Sequence, residues 1–329
     1  MTMTAADARA AATAPATKGW RIPAAARQHL VFAAVVVAML VGSMPFLAPM
    51  RDGNYLMLQL ATYSAVFIMA LGQTVVVLQV GFDVSIGALQ GLIGAMVFVM
   101  VGHQFNDAAV IAGCLVLATA LGVLNGFLTT KVKINFIIVT LAMFTILPSV
   151  SQVILGGSSK AVYTPALDSL ANGTVLGIRA PIVVAGIVMV VLWVVLNNTV
   201  FGRNIYATGS NREAARLAGV PVTLITMACY AICSLCAGIA GLLLAGTLGA
   251  ADPSAGLGNE FFALTAVLLG GTRISGGHGG LFGTLLGMLF LIILGNILLL
   301  SGISQFWIGA IQGTVLLVAV GVDRARRDD

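Results

Sequence analysis

Apolar residues dominate ten runs along the chain, at about 30–50, 54–80, 85–103, 108–130, 136–157, 180–200, 222–247, 260–272, 280–301 and 305–323. Most approach or exceed the roughly 20 helical residues that cross the hydrocarbon core of a bilayer. No water is available there to satisfy the backbone, so each run is predicted to be a helix. The predicted fold is an all-α integral membrane bundle with about ten transmembrane helices. The eighth run is short and flanked by glycines, which is the pattern of a broken or re-entrant helix supported by its neighbours. Residues 1–29 hold no sustained apolar run and read as a disordered tail, 30–323 as the transmembrane domain, and 324–329 as a C-terminal tail.

The longest polar interruption between spans is 201–221. Ser210 and Glu213 have the spacing of a capping box, which predicts a helix starting near Asn211. Gly219 and Pro221 then stop it, since glycine takes the left-handed conformation after a last turn and proline cannot continue a helix. Ala214, Leu217 and Ala218 share one face of this short helix, while Arg212, Glu213 and Arg216 occupy much of the other. A small apolar face of this kind suits a partner's groove. Two further breaks, 156–180 and 251–260, are rich in turn residues and are expected to be outward segments, the first an exposed loop, that serve either as passive connections or as places where a soluble partner docks.

Composition agrees with the apolar pattern: 59% of the 329 residues are hydrophobic and only 8% charged, against about 25% charged in soluble domains. The net charge of +5 reports topology rather than a nucleic-acid surface, because the basic residues are scattered over loops and tails. Threading ten spans puts thirteen Lys and Arg residues on the side of the termini and of loop 201–221, and only Arg51, Lys160 and Arg179 on the other. By the positive-inside rule both termini are cytoplasmic. Cys229, Cys233 and Cys236 recur on one side of an apolar helix with no His or carboxylate near them in sequence, so they are expected to pack at a helix contact rather than hold a metal.

Asp83 is the one charge within the apolar stretch between Asp52 and Asp107. An ionisable group there belongs in a bundle interior, a water-filled cavity or an interface. Two roles suit it equally, helix cap together with Ser85 or polar contact on a transport pathway. The glycine-dense run 269–283 is no phosphate loop, because the chain contains no Gly-Lys-Ser/Thr triplet. His278-Gly279-Gly280 resembles part of an esterase oxyanion loop, but no Gly-x-Ser-x-Gly elbow accompanies it, and tight helix packing explains these glycines more simply.

Read together, the motifs resemble the inner-membrane permease of a bacterial ribose-type (simple-sugar) ABC importer, from about residue 54 to Asp323. Gly81-Phe-Asp-Val-Ser-Ile-Gly87 resembles that family's Gly-Gly-Ile-Asp-Leu-Ser-Val-Gly, with Val80 in place of the first glycine. Leu124-Asn125-Gly126, Asn135 to Leu141, the segment 201–219, Gly270 to Gly277 and Leu294-Gly-Asn296 follow in the family's order. Asn135 stands for a proline, Pro148-Ser149 for Arg-Gly, and Phe262 for an aspartate.

The resemblance implies uptake of a monosaccharide or similar polar small molecule by alternating access. It implies three protein partners: an ABC ATPase subunit, an extracytoplasmic sugar-binding protein, and a second permease copy or close relative. Lipid surrounds the assembly, no nucleic acid is involved, and the expected location is the bacterial inner membrane. ATP and Mg would be bound by the ATPase, and this chain would be a transport subunit without cofactor or catalysis of its own. Coupling to the ATPase would fall on Gly209, Ser210, Asn211, Glu213, Ala214, Ala215, Leu217, Ala218 and Gly219. Asp83, Ser85, Asn125, Thr140 and Asn296 are candidates for the translocation pathway. An ion-coupled secondary transporter, which would need buried acids beyond Asp83, and a non-transporting scaffold are the alternatives.

Overall fold

The computed structural model describes residues 24–328. Most of the expected N-terminal tail, residues 1–23, lies outside the described residues, as does Asp329. In chain order the helices are α1 (Ala24–Ser43), α2 (Gly53–Leu78), α3 (Ile86–Gly102), α4 (Asp107–Thr130), α5 (Phe136–Leu155), α6 (Pro165–Asn172), α7 (Ala180–Asn198), α8 (Val200–Ser210), α9 (Arg212–Leu217), α10 (Val222–Leu248), α11 (Asn259–Leu269), α12 (Leu281–Leu300) and α13 (Gln305–Asp328). The molecule is an all-α integral membrane protein. Each apolar run of the sequence is a helix, and six, α2, α4, α5, α7, α10 and α12, are long and apolar enough to cross a membrane. α3, α11 and part of α1 are shorter apolar helices. The final helix continues through Arg324 to Asp328, so the segment expected as a tail extends α13.

Polar side chains start these helices. Asp52, Asn106, Asn135 and Thr199 each accept a hydrogen bond from a backbone N–H one turn on, as N-caps do. Asn135 thereby gives α5 a cap where the resembling family has proline, which accounts for that departure.

α2 and α10 form the centre. In their most apolar stretches 72% and 61% of residues are buried, against 22% to 28% in α4, α5 and α7, which therefore turn most of their surface outward. The two central helices run antiparallel. Gln79, just past the end of α2, accepts a hydrogen bond from Thr226 in the first turn of α10 at 2.8 Å, and Gly72 packs against Cys233 and Cys236 further along. The three clustered cysteines are thus buried contact residues. On the other side of α10, Gly122 and Gly126 of α4 let the backbones close: a Cβ at 126 would lie 2.6 Å from the Met227 Cα.

Each central helix leads into the same local device. After α2, the Asp83 carboxylate accepts from the Ser85 backbone N–H (2.8 Å) and hydroxyl (2.5 Å). After α10, Asp252 accepts from the Ser254 N–H (2.8 Å) and hydroxyl (2.6 Å). The Asp-x-Ser turns then open the short helices α3 and α11. Because α2 and α10 are antiparallel, the two units are related by inversion across the bundle.

Both loops expected to be irregular are structured. In 156–180, α6 buries Leu167 and Ala171 against Gly246 of α10, an i, i+4 pair that the sequence reading overlooked. In 251–260, β4 (Ala250–Ala251) pairs with β1 (Lys160–Ala161), and Ala251, Pro253 and Glu260 are buried. A second small hairpin joins β2 (Thr174–Val175) and β3 (Ile178–Arg179). Within 251–260, Ala251, Pro253 and Glu260 pack on the bundle, while Ser254, Leu257 and Gly258 stay exposed.

Candidate functional site

Loop 201–221 contains two helices, not one. Thr199 caps α8, which the sequence reading missed because its residues show no long apolar run. The capping box expected from Ser210 and Glu213 is not formed. Ser210 is the last residue of α8, and Asn211 caps α9 instead, its Oδ1 accepting from Glu213 N (3.1 Å) and Ala214 N (2.9 Å). The Glu213 carboxylate reaches forward to the Arg216 guanidinium at 2.7 Å, and that hydrogen-bonded cation holds it below the usual carboxylate range. Asparagine serves better than serine here because the chain between α8 and α9 is extended at 211 alone.

Ala214, Leu217 and Ala218 are exposed, Leu217 at 77%, while Ala215 anchors the helix by burial. Gly219 has φ +83° with open space around it, so the left-handed backbone and not crowding selects glycine. Gly209 is selected by crowding. A Cβ there would overlap the Leu78 carbonyl oxygen and lie 2.6 Å from Gly277 N, the very group that donates to Leu78 O at 2.8 Å. Gly277 also abuts Ser210. The end of α8, the end of α2 and the glycine-rich 270–280 turn meet at this one junction.

The structure brings Asp83, Ser85 and Asn125 together and leaves Thr140 and Asn296 apart. Asn125 Nδ2 lies 3.2 Å from both Asp83 Oδ2 and Ser85 Oγ, and the Asp83 N–H donates to Gln73 Oε1 at 3.3 Å. All three predicted residues are buried. Asp83 thus holds Ser85 at the entry to α3, where Ser85 itself makes no side-chain capping bond, and ties α2, α3 and α4 together. Thr140 is buried on α5 and bonds only within its own helix.

A second buried acid lies at the matching turn. Both oxygens of Glu260 accept from Gly258 N at 3.0 Å, and its carboxylate lies so close to Gly87 that only glycine fits there. Gly87 is in the first turn of α3 and Glu260 in the first turn of α11, so one carboxylate faces the positive ends of two helices. Asn259 Nδ2 donates to Gln90 Oε1 at 2.9 Å across the same contact.

Asn296 lies on the wall of an open cavity of about 890 Å³ bounded by α2, α10, α11, α12 and α13. Its Oδ1 accepts from the Tyr55 hydroxyl at 2.6 Å and its Nδ2 donates to Ile292 O. Gln59, Tyr63, Asn259, Phe262 and Gln312 line the same space, and Tyr63 stacks on Phe262 with ring centroids 5.5 Å apart. The sequence reading did not select them. A usable signal was present in Gln59 and Tyr63, an i, i+4 polar pair inside an apolar run.

Comparison with known proteins adds the following. Residues 56–320 match a family model described as the permease component of branched-chain amino acid transport systems. The chain is 38% identical to the ribose import permease of Escherichia coli strain K12 over 264 residues, 79% of this chain and 82% of that protein. It is 36% identical to the ribose import permease of Bacillus subtilis, covering 79% of this chain and 81% of the relative. An L-arabinose ABC transporter permease of Azospirillum brasilense is 31% identical, with 80% and 75% covered. No solved structure matches the chain.

Proposed function

The chain belongs to the ABC-importer permease family that includes the ribose import permeases, and from that membership we propose that it carries a monosaccharide or similar polar small molecule across the bacterial inner membrane. It is a multi-pass membrane transport subunit and not an enzyme. A permease of this kind works with an ATPase and a substrate-binding protein. In this reading the ATPase docks on α9, ATP and Mg stay with it, and a second permease copy or close relative completes the path.

The observation that carries the coupling assignment is the exposed Ala214, Leu217, Ala218 face on a capped helix rooted at the Gly209 junction. The helix is too short and polar to enter the bilayer, yet it follows directly on α8, which Gly209 seats against Leu78 at the end of α2. Its end of the bundle also carries Lys131 and Lys133, which follow α4 where Gly126 meets the start of α10, whereas Lys160 pairs with Ala251 at the opposite end. That asymmetry supports a cytoplasmic α9 and cytoplasmic termini. The test is a cysteine at position 214 in the assembled importer. It should crosslink to the ATPase subunit, and the coupling assignment fails if it crosslinks only to lipid or to the permease itself.

The family model's description names branched-chain amino acids and the relatives' names give sugars; the sugar reading rests on identities of 31% to 38% spread over about four-fifths of the chain. The pair Asp83 and Asn125, buried and mutually bonded, serves this function by fixing where α3 and α4 sit and not by lining the large cavity.

A further inference from the structure

The 890 Å³ cavity has a definite chemical character. Among the described residues no Asp, Glu, Lys, Arg or His lines it; its polar groups are neutral amides and hydroxyls, among them Gln59, Asn259, Asn296 and Gln312. Its apolar wall includes the Tyr63–Phe262 stack. Between Tyr63 Oη and Gln312 Nε2 lies Gly295, and the position of a Cβ on that glycine would be 3.9 Å and 3.8 Å from them. The missing side chain leaves a slot between a phenol and an amide.

We infer that this cavity is the transit subsite of the permease, that it takes an uncharged polyhydroxylated ring, and that Phe262 and Gly295 set its specificity. The inference rests on the import reading above and names the site within it. A sugar ring has a C–H face that packs on an aromatic wall, and hydroxyls that both donate to and accept from amides. A zwitterionic amino acid would leave its carboxylate and ammonium without a charged partner in a mostly apolar space, and such burial is strongly disfavoured. The cavity therefore separates the sugars named by the chain's relatives from the branched-chain amino acids named in the family model's description. Phe262 gives this wall its aromatic face, stacked on Tyr63. Gly295 keeps the slot open for one hydroxyl.

Cells carrying the complete importer are supplied with radiolabelled D-ribose, D-allose or L-leucine, and uptake is compared for the wild type, Phe262→Tyr, Phe262→Asp, Gly295→Ala and Gly295→Val. Gly295→Ala makes only ordinary contacts and should fold; amounts of each variant in the membrane are measured by blot. The wild type should import a sugar and ignore leucine. Phe262→Tyr should stay within about threefold of wild type, whereas Phe262→Asp should raise the apparent KM for the sugar by about tenfold or more. Both Gly295 variants should impair the hexose more than the pentose. Leucine import by the wild type, or sugar import unchanged in both Phe262→Asp and Gly295→Val, overturns the inference and leaves the import reading standing. Import of neither sugar also overturns it, and the crosslink from position 214 then tells whether the import reading has failed too.

Discussion

Gly209→Ala is the most informative single change, because it adds one methyl at the junction of α8, α2 and the 270–280 turn. The new Cβ would press on both partners of the Gly277 N to Leu78 O hydrogen bond, which is 2.8 Å long. Two costs follow. Forcing a methyl against backbone atoms that cannot rotate away costs about 1–3 kcal/mol, and separating the buried hydrogen bond costs about 1 kcal/mol more. The sum, roughly 2–4 kcal/mol, shifts the equilibrium between closed and opened junction by a factor of about 30 or more, since about 1.4 kcal/mol is tenfold. Gly219→Ala is the control, because its Cβ meets open space and only the φ of +83° is penalised, at about 1–2 kcal/mol. The assays are the melting temperature of the purified full chain and ATP-driven uptake in cells. Gly209→Ala should lower the melting temperature by several degrees and reduce uptake severely, and Gly219→Ala should have a clearly smaller effect on melting. Wild-type melting and uptake for Gly209→Ala would show that the junction yields freely, and the coupling route through Leu78 would be wrong.

Three other outcomes follow from particular residues. Val80 sits at φ +70° in a Schellman turn in which Gly81 N bonds to Val76 O and Val80 N to Val77 O, so Val80→Gly should stabilise the chain by about 1 kcal/mol, read as a raised melting temperature; a lowered one would mean that the valine is unstrained. Asp83→Leu strands the Ser85 N–H and hydroxyl donors and should cost about 3 kcal/mol or more, whereas Asp83→Asn keeps an acceptor and should cost less than half of that, as judged by the yield of monodisperse protein in detergent. Asp252 is held below the usual carboxylate range by the Ser159 hydroxyl first and then by Ser254, so its contribution is complete above the unfolded value near pH 4 and fades as pH falls through the lowered folded value. Hydrogen exchange at 251–258 should accelerate only below about pH 4, and a transition near neutrality would assign it to another group.

How much was legible in the sequence depended on the range of the signal. Apolar runs declare helices because burial in lipid is a property of consecutive residues, and all ten became helices. The α9 stop at Gly219 was legible for the same local reason. The start of α9 was misassigned to Ser210 because a capping box is a spacing rule, and two candidate caps, Ser210 and Asn211, are adjacent; tertiary contact of Gly209 and Ser210 with Gly277 decided between them. Asp83 and Asn125, 42 positions apart, could be suspected singly but not paired. The cavity was invisible, because Tyr63, Phe262, Asn296 and Gln312 come from four helices and meet only after packing.

The geometry links the two proposed sites without a continuous chain of polar contacts. Leu78, clamped between Gly209 and Gly277, ends α2, and Gln59 and Tyr63 lie on the same helix; fifteen residues separate Leu78 from Tyr63, about 22 Å of α-helix. Gly277 belongs to the turn that joins α11 to α12, and those helices carry Phe262 and Asn296 into the cavity. Three of the five helices that line the cavity, α2, α11 and α12, thus meet at one junction at the α9 end. Between junction and cavity, Gly72 seats α2 directly on Cys233 and Cys236 of α10, with a Cβ there only 2.8 Å from the Cys236 Cβ. A helix held so closely at its middle can tilt about that contact more readily than it can slide. A push delivered to α9 would then reach Tyr63 in the opposite direction, moving the aromatic wall against Phe262 and Asn296 and changing the width of the cavity while leaving the Asp83–Asn125 anchor in place.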